Sequence, residues 1–297
     1  MLKALFLGMV LRNGFIKDEG AAAPSIITGI YIRAVKRFAA LFGGKNMTGA
    51  LIEVCVDSME SVRAAVRGGA DRLELCANLI IGGTTPSPHL IRAAAKTGVP
   101  VNVLIRPRFG DFLFTEDEKQ EQLEQIAQLK ELGAHGAVVG ALREDGRLDV
   151  PFLSACRKAA EGLHLTLHRA FDVCADPFEA METAAELGFD TILTSGQQAS
   201  AVQGAALIAQ LTERAGGRIT IMPGGGVCAA NIAQLLGATS AHAFHLSAKK
   251  SVSSAMVYRK EGVPMGLPMM SEFERFVTDE EAVRAAKTAA QQWAQAK

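Results

Sequence analysis

Eight short apolar runs, each followed by a helix-forming stretch, fill the chain from Leu51 onward. Rich in β-branched and aliphatic residues, these runs are the predicted strands: 51–57, 71–76, 99–106, 135–140, 163–169, 190–195, 217–224 and 241–247. Several of the intervening helices close with a glycine just before the next strand, as at Gly98, Gly133 and Gly188. Eight strand–helix units in about 250 residues predict an α/β fold, a single (β/α)8 TIM barrel.

A doubly wound open sheet is the alternative arrangement of alternating strands and helices. That fold normally carries a Gly-x-Gly-x-x-Gly turn after its first strand, where the backbone approaches a dinucleotide. Here the first strand runs into residues 56–60 (VDSME), which contain no glycine. The unit count and the length therefore favour the barrel over the open sheet.

The first 46 residues differ in charge from the rest of the chain. They contain seven of the 31 basic residues and two of the 31 acidic residues, a net charge of +5 that the remaining residues offset with −5. We expect residues 1–46 to be an N-terminal extension that is poorly ordered or not part of the native protein, and residues 47–297 to form the barrel. The apolar run of the extension is short and interrupted by charges, so we do not expect a secretory signal.

Composition also limits the compartment and the partners. The five cysteines are odd in number and include no Cys-x-x-Cys pair, which predicts free thiols in the cytoplasm. No run of about 18 uncharged apolar residues occurs, so no membrane span is expected. The barrel segment is net acidic, and the whole chain has two tyrosines and one tryptophan, which argues against nucleic-acid binding.

Strand periodicity predicts which side chains point into the barrel. Alternate residues face opposite sides, and the side that meets the helices must be apolar. The inward positions of predicted strands 1, 2, 3, 5 and 8 then hold many polar or ionisable side chains: Glu53, Cys55, Asp57, Arg72, Glu74, Cys76, Asn102, Arg106, His164, Thr166, His168 and His245. Buried charges cost several kcal/mol unless they are paired, so this set indicates a functional site at the C-terminal strand ends.

Three of these side chains are candidate acid–base catalysts. Glu53, Asp57 and His168 would face an enclosed site in which burial can tune their protonation. The alternative is that Glu53, together with Arg72 and Glu74, forms a paired layer that only fills the barrel floor.

Two cysteines, Cys55 and Cys76, stand near the ends of adjacent predicted strands and point inward. Neighbouring strands lie about 4.8 Å apart, so the two thiols could approach each other or share a Cu(I) ion, which favours thiolate ligands. Zinc is the alternative metal, with His168 or His245 completing a four-ligand set. Two buried packing cysteines are the alternative without a metal.

A glycine-rich loop follows the seventh predicted strand. Gly224, Gly225 and Gly226 precede a helix, a place where free backbone N–H groups suit a phosphate or carboxylate. Arg106, Arg108 and Arg169, at the ends of other strands, could add positive charge to such an anion site. The alternative is that the glycines only make a tight turn.

Taken together, the motifs resemble the CutC copper-homeostasis family. The matching stretches are EVCVDS (53–58), GGADRLELC (68–76), GGTTPS (82–87), IRPRFGDF (105–112), LHRAFD (167–172), LTSG (193–196), MPGGG (222–226) and FHLSA (244–248). The resemblance covers about residues 51 to 280 and implies a cytoplasmic (β/α)8 barrel, a homo-oligomer (dimer or tetramer), with a role in copper tolerance. It also implies Cu(I) ligands at Cys55 and Cys76.

Two functions follow from these observations. The first is a copper homeostasis protein of the cytoplasm that binds Cu(I) through Cys55 and Cys76. The second is a barrel enzyme acting on a small anionic metabolite, held by Arg106 and the loop 224–226, with Glu53, Asp57 or His168 as acid or base. The sequence does not decide whether the protein is an enzyme.

Overall fold

A ring of eight parallel strands forms the centre of the molecule. The computed structural model describes residues 50–263, 265–266 and 271–296. The strands are β1 (Leu51–Val56), β2 (Arg72–Leu75), β3 (Val101–Leu104), β4 (Gly136–Val139), β5 (His164–Leu167), β6 (Thr191–Thr194), β7 (Thr220–Pro223) and β8 (Ala243–Leu246). They follow the order β7-β6-β5-β4-β3-β2-β1-β8, and β7 and β8 lie next to each other and complete the ring. The predicted (β/α)8 barrel is confirmed.

Helices surround the strands on the outside of the ring. They are α1 (Met59–Gly68), α2 (Pro88–Ala95), α3 (Glu116–Gln128), α4 (Val150–Ala159), α5 (Pro177–Glu186), α6 (Ala205–Ala215), α7 (Ile232–Thr239) and α8 (Glu280–Gln295), with short 3-10 helices at Leu79–Ile81 and Arg169–Val173. Local signals set their starts: Ser58, Ser87 and Thr115 each accept a backbone N–H of the first turn. None of the described helices combines the length and the apolar character needed to cross a membrane.

An antiparallel hairpin follows β8. Its strands β9 (Lys249–Ser253) and β10 (Glu274–Thr278) pair with each other and not with the barrel. The residue pattern did not predict this hairpin, because most of its side chains are polar and exposed, and only Val277 and Thr278 at the end of β10 are buried. The hairpin leads into α8, which begins after its N-cap Asp279.

The core follows the predicted alternation of side chains. In β1, Ile52, Val54 and Val56 are fully buried and pack in the main hydrophobic core, which lies between the strands and the helices. Glu53 and Cys55, between them, are also buried but belong to the barrel interior. Residues 1–49 lie outside the described residues, so the division of the chain into 1–46 and 47–297 stays a prediction.

Candidate metal centre

Strand β1 brings the polar interior residues together, because it has a neighbour on each side. Glu53 lies opposite Arg72 of β2 and opposite His245 of β8, whereas Cys55 lies opposite Glu74 of β2. Cys76 follows the end of β2, two residues beyond the partner of Cys55. The two predicted copper ligands are therefore diagonal neighbours on adjacent strands and do not face each other directly.

Glu53 is the centre of a buried ionic network. One oxygen of its carboxylate accepts the Nε–H of Arg72, and the other lies 2.8 Å from Nδ1 of His245. On its other side, Nε2 of His245 lies 3.4 Å from Oε2 of Glu74. All four side chains are buried, and each has at least one partner of opposite charge. This pairing offsets the cost of removing the charges from water.

The network sets the charges of its members. Burial alone would raise the pKa of Glu53, but Arg72 and His245 outweigh it and lower that pKa to about 2. Burial raises the pKa of Glu74 to about 7, with an added contribution from the Glu53 carboxylate and opposition from His245. Burial would lower the pKa of His245, yet the charges of Glu74 and Cys55 raise it well above its usual value. At neutral pH, Glu53 is ionised and His245 carries a proton.

Cys55, Glu74 and His245 together form a metal-capable group. One ligand atom from each of the three lies within 4.8 Å of the other two, and all three residues are buried. Among the described residues, this is the one set of three or more His, Cys, Asp or Glu side chains with that spacing. Strand periodicity predicted all three inside the barrel, but nothing in the sequence singled out Glu74 as a ligand.

Cys76 lies outside that group, in apolar surroundings. It is 1% exposed and packs with Leu104 and Val138, and with Leu79 at the edge of the cluster. Its Sγ lies 3.9 Å from the carbonyl oxygen of Glu74. Burial, followed by the negative charge of Glu74, raises the pKa of the Cys76 thiol well above its usual value. A metal ion must displace the proton of this thiol in order to bind it.

A cavity of about 750 Å³ reaches Cys55 from the C-terminal face of the barrel. Its wall includes Asp57 on the barrel side and Arg275 and Phe276 of β10 on the hairpin side. The half-buried position of Asp57 raises the pKa of its carboxyl group. Asp57 is thus the one of the three predicted acid–base candidates that lines this cavity, whereas Glu53 lies in the ionic network beneath it.

His168 caps a short helix. Its Nδ1 accepts the N–H of Ala170 at 3.1 Å, and its ring lies against Phe112 at a centroid distance of 4.9 Å. Burial, with the nearby charge of Arg106, lowers the pKa of His168 to about 3, so the ring is neutral. His245, and not His168, is the histidine that the fold brings beside Cys55.

The guanidinium groups of Arg106 and Arg108 hold the loops after β2 and β3. Arg106 donates to the carbonyl oxygens of Gly82 and Gly83, both at 3.2 Å, and to that of Gly110 at 2.7 Å. Arg108 is bonded to the Glu118 carboxylate at 2.6 Å, to three loop carbonyl oxygens and to the Asp111 carboxylate. Sequence reasoning could not anticipate these acceptors, because most of them are backbone carbonyls, which every residue carries.

The glycine-rich loop after β7 lies beside a different arginine. Gly225 and Gly226 have φ values of +89° and +77°, which glycine adopts without strain. A Cβ atom on Gly225 would lie 3.7 Å from Cζ of Arg169, so this guanidinium covers the loop. Arg169 is held by Asp172 at 2.6 Å and by the Ser195 hydroxyl at 2.8 Å. In the described part of the chain, the N–H groups of Gly225 and Gly226 donate no hydrogen bond.

Comparison with known proteins places these motifs in one family. The family model described as CutC matches residues 50–250. A family protein CutC of Parabacteroides distasonis is 52% identical over 238 residues, which are 79% of this chain and 98% of that protein. The human copper homeostasis protein cutC homolog is 45% identical over 80% of this chain and 87% of its own length. A solved structure of CutC from Streptococcus agalactiae has a TM-score of 0.64 and 33% identity, covering 66% of this chain and 97% of that one. The chain belongs to the CutC family.

Proposed function

We propose that the protein acts in copper homeostasis by binding Cu(I) as its cargo between the thiolates of Cys55 and Cys76. The observation that carries this proposal is the placement of two buried thiols on adjacent strands of a barrel whose relatives include a copper homeostasis protein. Cu(I) is a soft ion that prefers thiolate ligands and tolerates low coordination numbers, so two cysteines are sufficient for it.

The charges around the two thiols fit this cargo. Two thiolates and one Cu(I) ion carry a net charge of −1, which is costly to bury without compensation. The protonated His245 offers that compensation, and the charge of Cys55 helps to raise its pKa. The Glu53 carboxylate holds the ring in place, with one oxygen 2.8 Å from Nδ1 of His245. The apolar wall of Leu104 and Val138 excludes water from the Cys76 side.

Loss of either thiol is expected to abolish tight Cu(I) binding. In an anaerobic titration against a competing Cu(I) chelator, the wild type should take up one Cu(I) per chain, and Cys55→Ser or Cys76→Ser should not compete. Affinity should increase with pH, because binding releases the proton that the raised pKa of Cys76 retains. Cys228→Ser removes an exposed thiol and is the matched control. Equal tight binding by the wild type and the Cys55→Ser/Cys76→Ser double variant would refute the proposal.

We further propose that the protein works in the cytoplasm as a homo-oligomer, a dimer or a tetramer. The free state of all five cysteines in the described residues is consistent with a reducing compartment. The oligomeric state rests on the resemblance of the chain to its family.

A second candidate function is an enzyme that acts on a small anionic metabolite. The cavity beside Cys55 favours it, because about 750 Å³ is within the usual range for a small-molecule site. Asp57 lines this cavity, and its raised pKa suits a general acid. Gly225, Gly226 and Arg169 do not line this cavity, so their N–H and guanidinium groups would hold the anionic group beyond its walls, whereas Arg106 and Arg108 would keep the neighbouring loops in place.

Inorganic phosphate is expected to raise the melting temperature if this anion site exists. At a phosphate concentration 100-fold above Kd, binding should add about 2.7 kcal/mol to the free energy of unfolding. In Arg169→Gln, phosphate should cause no increase above the melting temperature of that variant without phosphate. In Arg143→Gln, which replaces an exposed arginine, phosphate should raise the melting temperature as it does in the wild type. No increase in the wild type, or an unchanged one in Arg169→Gln, counts against the anion site.

A further inference from the structure

We infer that Cys55, Glu74 and His245 form a binding site for a divalent cation of the zinc type, with a fourth coordination position reached from the cavity beside Cys55. This site goes beyond the proposed Cu(I) site. It shares Cys55 with that site, but it uses Glu74 and His245 in place of Cys76.

The spacing of the ligand atoms supports the inference. In a tetrahedral zinc site with nitrogen and oxygen ligands at 2.0–2.1 Å, those two ligand atoms lie about 3.3–3.4 Å apart. Nε2 of His245 and Oε2 of Glu74 are 3.4 Å apart. A thiolate ligand would lie about 3.6 Å from each of them, and the Cys55 Sγ is already within 4.8 Å of one ligand atom of Glu74 and one of His245. A small shift of one short side chain would complete the three-ligand set.

The second nitrogen of His245 is held as in metal-binding histidines. Histidine ligands usually bond a carboxylate through the nitrogen that does not contact the metal, which fixes the ring. Here Glu53 lies 2.8 Å from Nδ1 of His245, and Arg72 in turn fixes Glu53. The ring is therefore oriented with Nε2 toward Glu74, and an ion binds this nitrogen by displacing the proton that the ring carries at neutral pH.

The donor set and the charges select the class of ion. One thiolate, one imidazole and one carboxylate are the ligands typical of Zn²⁺, whereas Cu(I) favours thiolates and Mg²⁺ or Ca²⁺ favours oxygen atoms. Once the ion has displaced the proton of His245, the charges of Glu74 and the Cys55 thiolate sum to −2, which a divalent ion neutralises. The positive charge of Arg72 is already matched by Glu53.

The cavity gives the site its open position. Catalytic zinc sites have three protein ligands and leave a fourth position to water or substrate, whereas structural sites have four protein ligands. Cys55 lines a cavity of about 750 Å³, so a small molecule with an oxygen or sulfur donor would reach the ion from that side. Asp57 lines the same cavity and could exchange a proton with such a ligand.

Cobalt(II) titration of the full chain, freed of metal by chelation, tests the inference. We expect one Co²⁺ per chain, with the visible bands of four-coordinate cobalt and a cobalt–thiolate charge-transfer band. Cys55→Ser should lose the charge-transfer band, and His245→Gln should lose the four-coordinate bands. Glu53→Gln, which leaves all three ligands in place, should weaken binding about 10–100-fold.

Cys76→Ser separates this site from the copper site. It should abolish tight Cu(I) binding and leave the cobalt spectrum unchanged, whereas the control Cys228→Ser should change neither. Since the ligand variants could fold poorly, the wild-type protein soaked with Zn²⁺ provides a second measurement, anomalous scattering at the zinc edge. Three results would overturn the inference. The cobalt spectrum could lack a thiolate band, Cys76→Ser could lose the cobalt bands as fully as the ligand variants do, or the Zn²⁺-soaked crystal could show no anomalous peak between the three ligands.

Discussion

Replacement of Arg72 by methionine is expected to lower the free energy of unfolding by about 3–5 kcal/mol. Arg72 is 4% exposed and is bonded through Nε to the buried Glu53 carboxylate. Methionine fills a similar volume but leaves Glu53 with His245 as its remaining charged partner, and a buried charge that loses a partner is costly. Urea denaturation at pH 7, followed by circular dichroism, measures the loss.

An exposed ion pair in the same protein provides the control. Arg67 is bonded to Glu280 at 2.7 Å, but its side chain is 60% exposed, so Arg67→Met should cost no more than about 1 kcal/mol. Adding Glu53→Gln to Arg72→Met should recover part of the loss, because it removes the stranded charge. If Arg67→Met and Arg72→Met lowered the free energy of unfolding by similar amounts, the buried ion pair of Arg72 and Glu53 would contribute no more than an exposed one.

Acid is expected to destabilise the protein through His168. Burial and Arg106 lower the pKa of this ring to about 3 in the folded chain, against an ordinary value of about 6.5 when unfolded. Between these values the unfolded chain binds a proton that the folded chain does not, so stability decreases as the pH falls from 6.5 to 3. At pH 5, His168 alone should cost about 2 kcal/mol relative to pH 8.

His168→Asn isolates this contribution from other titrating groups, such as Glu53 and His245. The asparagine oxygen can accept the N–H of Ala170, as Nδ1 of His168 does, but it does not titrate. The variant should therefore lose about 2 kcal/mol less than the wild type between pH 8 and pH 5 in urea denaturation. His89→Asn, at an exposed histidine, should retain the wild-type profile. Identical dependence of stability on pH in the wild type and His168→Asn would show that burial does not lower the pKa of His168.

The alternation of apolar and polar residues was sufficient to predict the interior of the barrel. It placed Glu53, Cys55, Glu74, Cys76 and His245 inside, and the structure buries all five. It could not predict the hairpin of β9 and β10, which forms one wall of the cavity and whose residues are mostly polar and exposed.

The loop arginines show a second limit of sequence reasoning. Arg106 follows a strand end, as an anion ligand would, yet its guanidinium donates to carbonyl oxygens of Gly82, Gly83 and Gly110. Backbone acceptors have no signature in the sequence, because every residue carries a carbonyl group. Arg169, which covers the glycine-rich loop, was distinguished from Arg106 and Arg108 only by its three-dimensional neighbours.

The sequence by itself determined the architecture, the inward faces of the strands and the family, because each depends on periodicity or on residue order along the chain. Only the tertiary structure decided which inward side chains meet. The register of β1 with β2 and β8 sets Cys55 opposite Glu74 and brings His245 beside both, whereas Cys76 lies one step farther along the barrel. Register depends on how all eight strands are staggered when the barrel closes, and no single strand encodes that stagger.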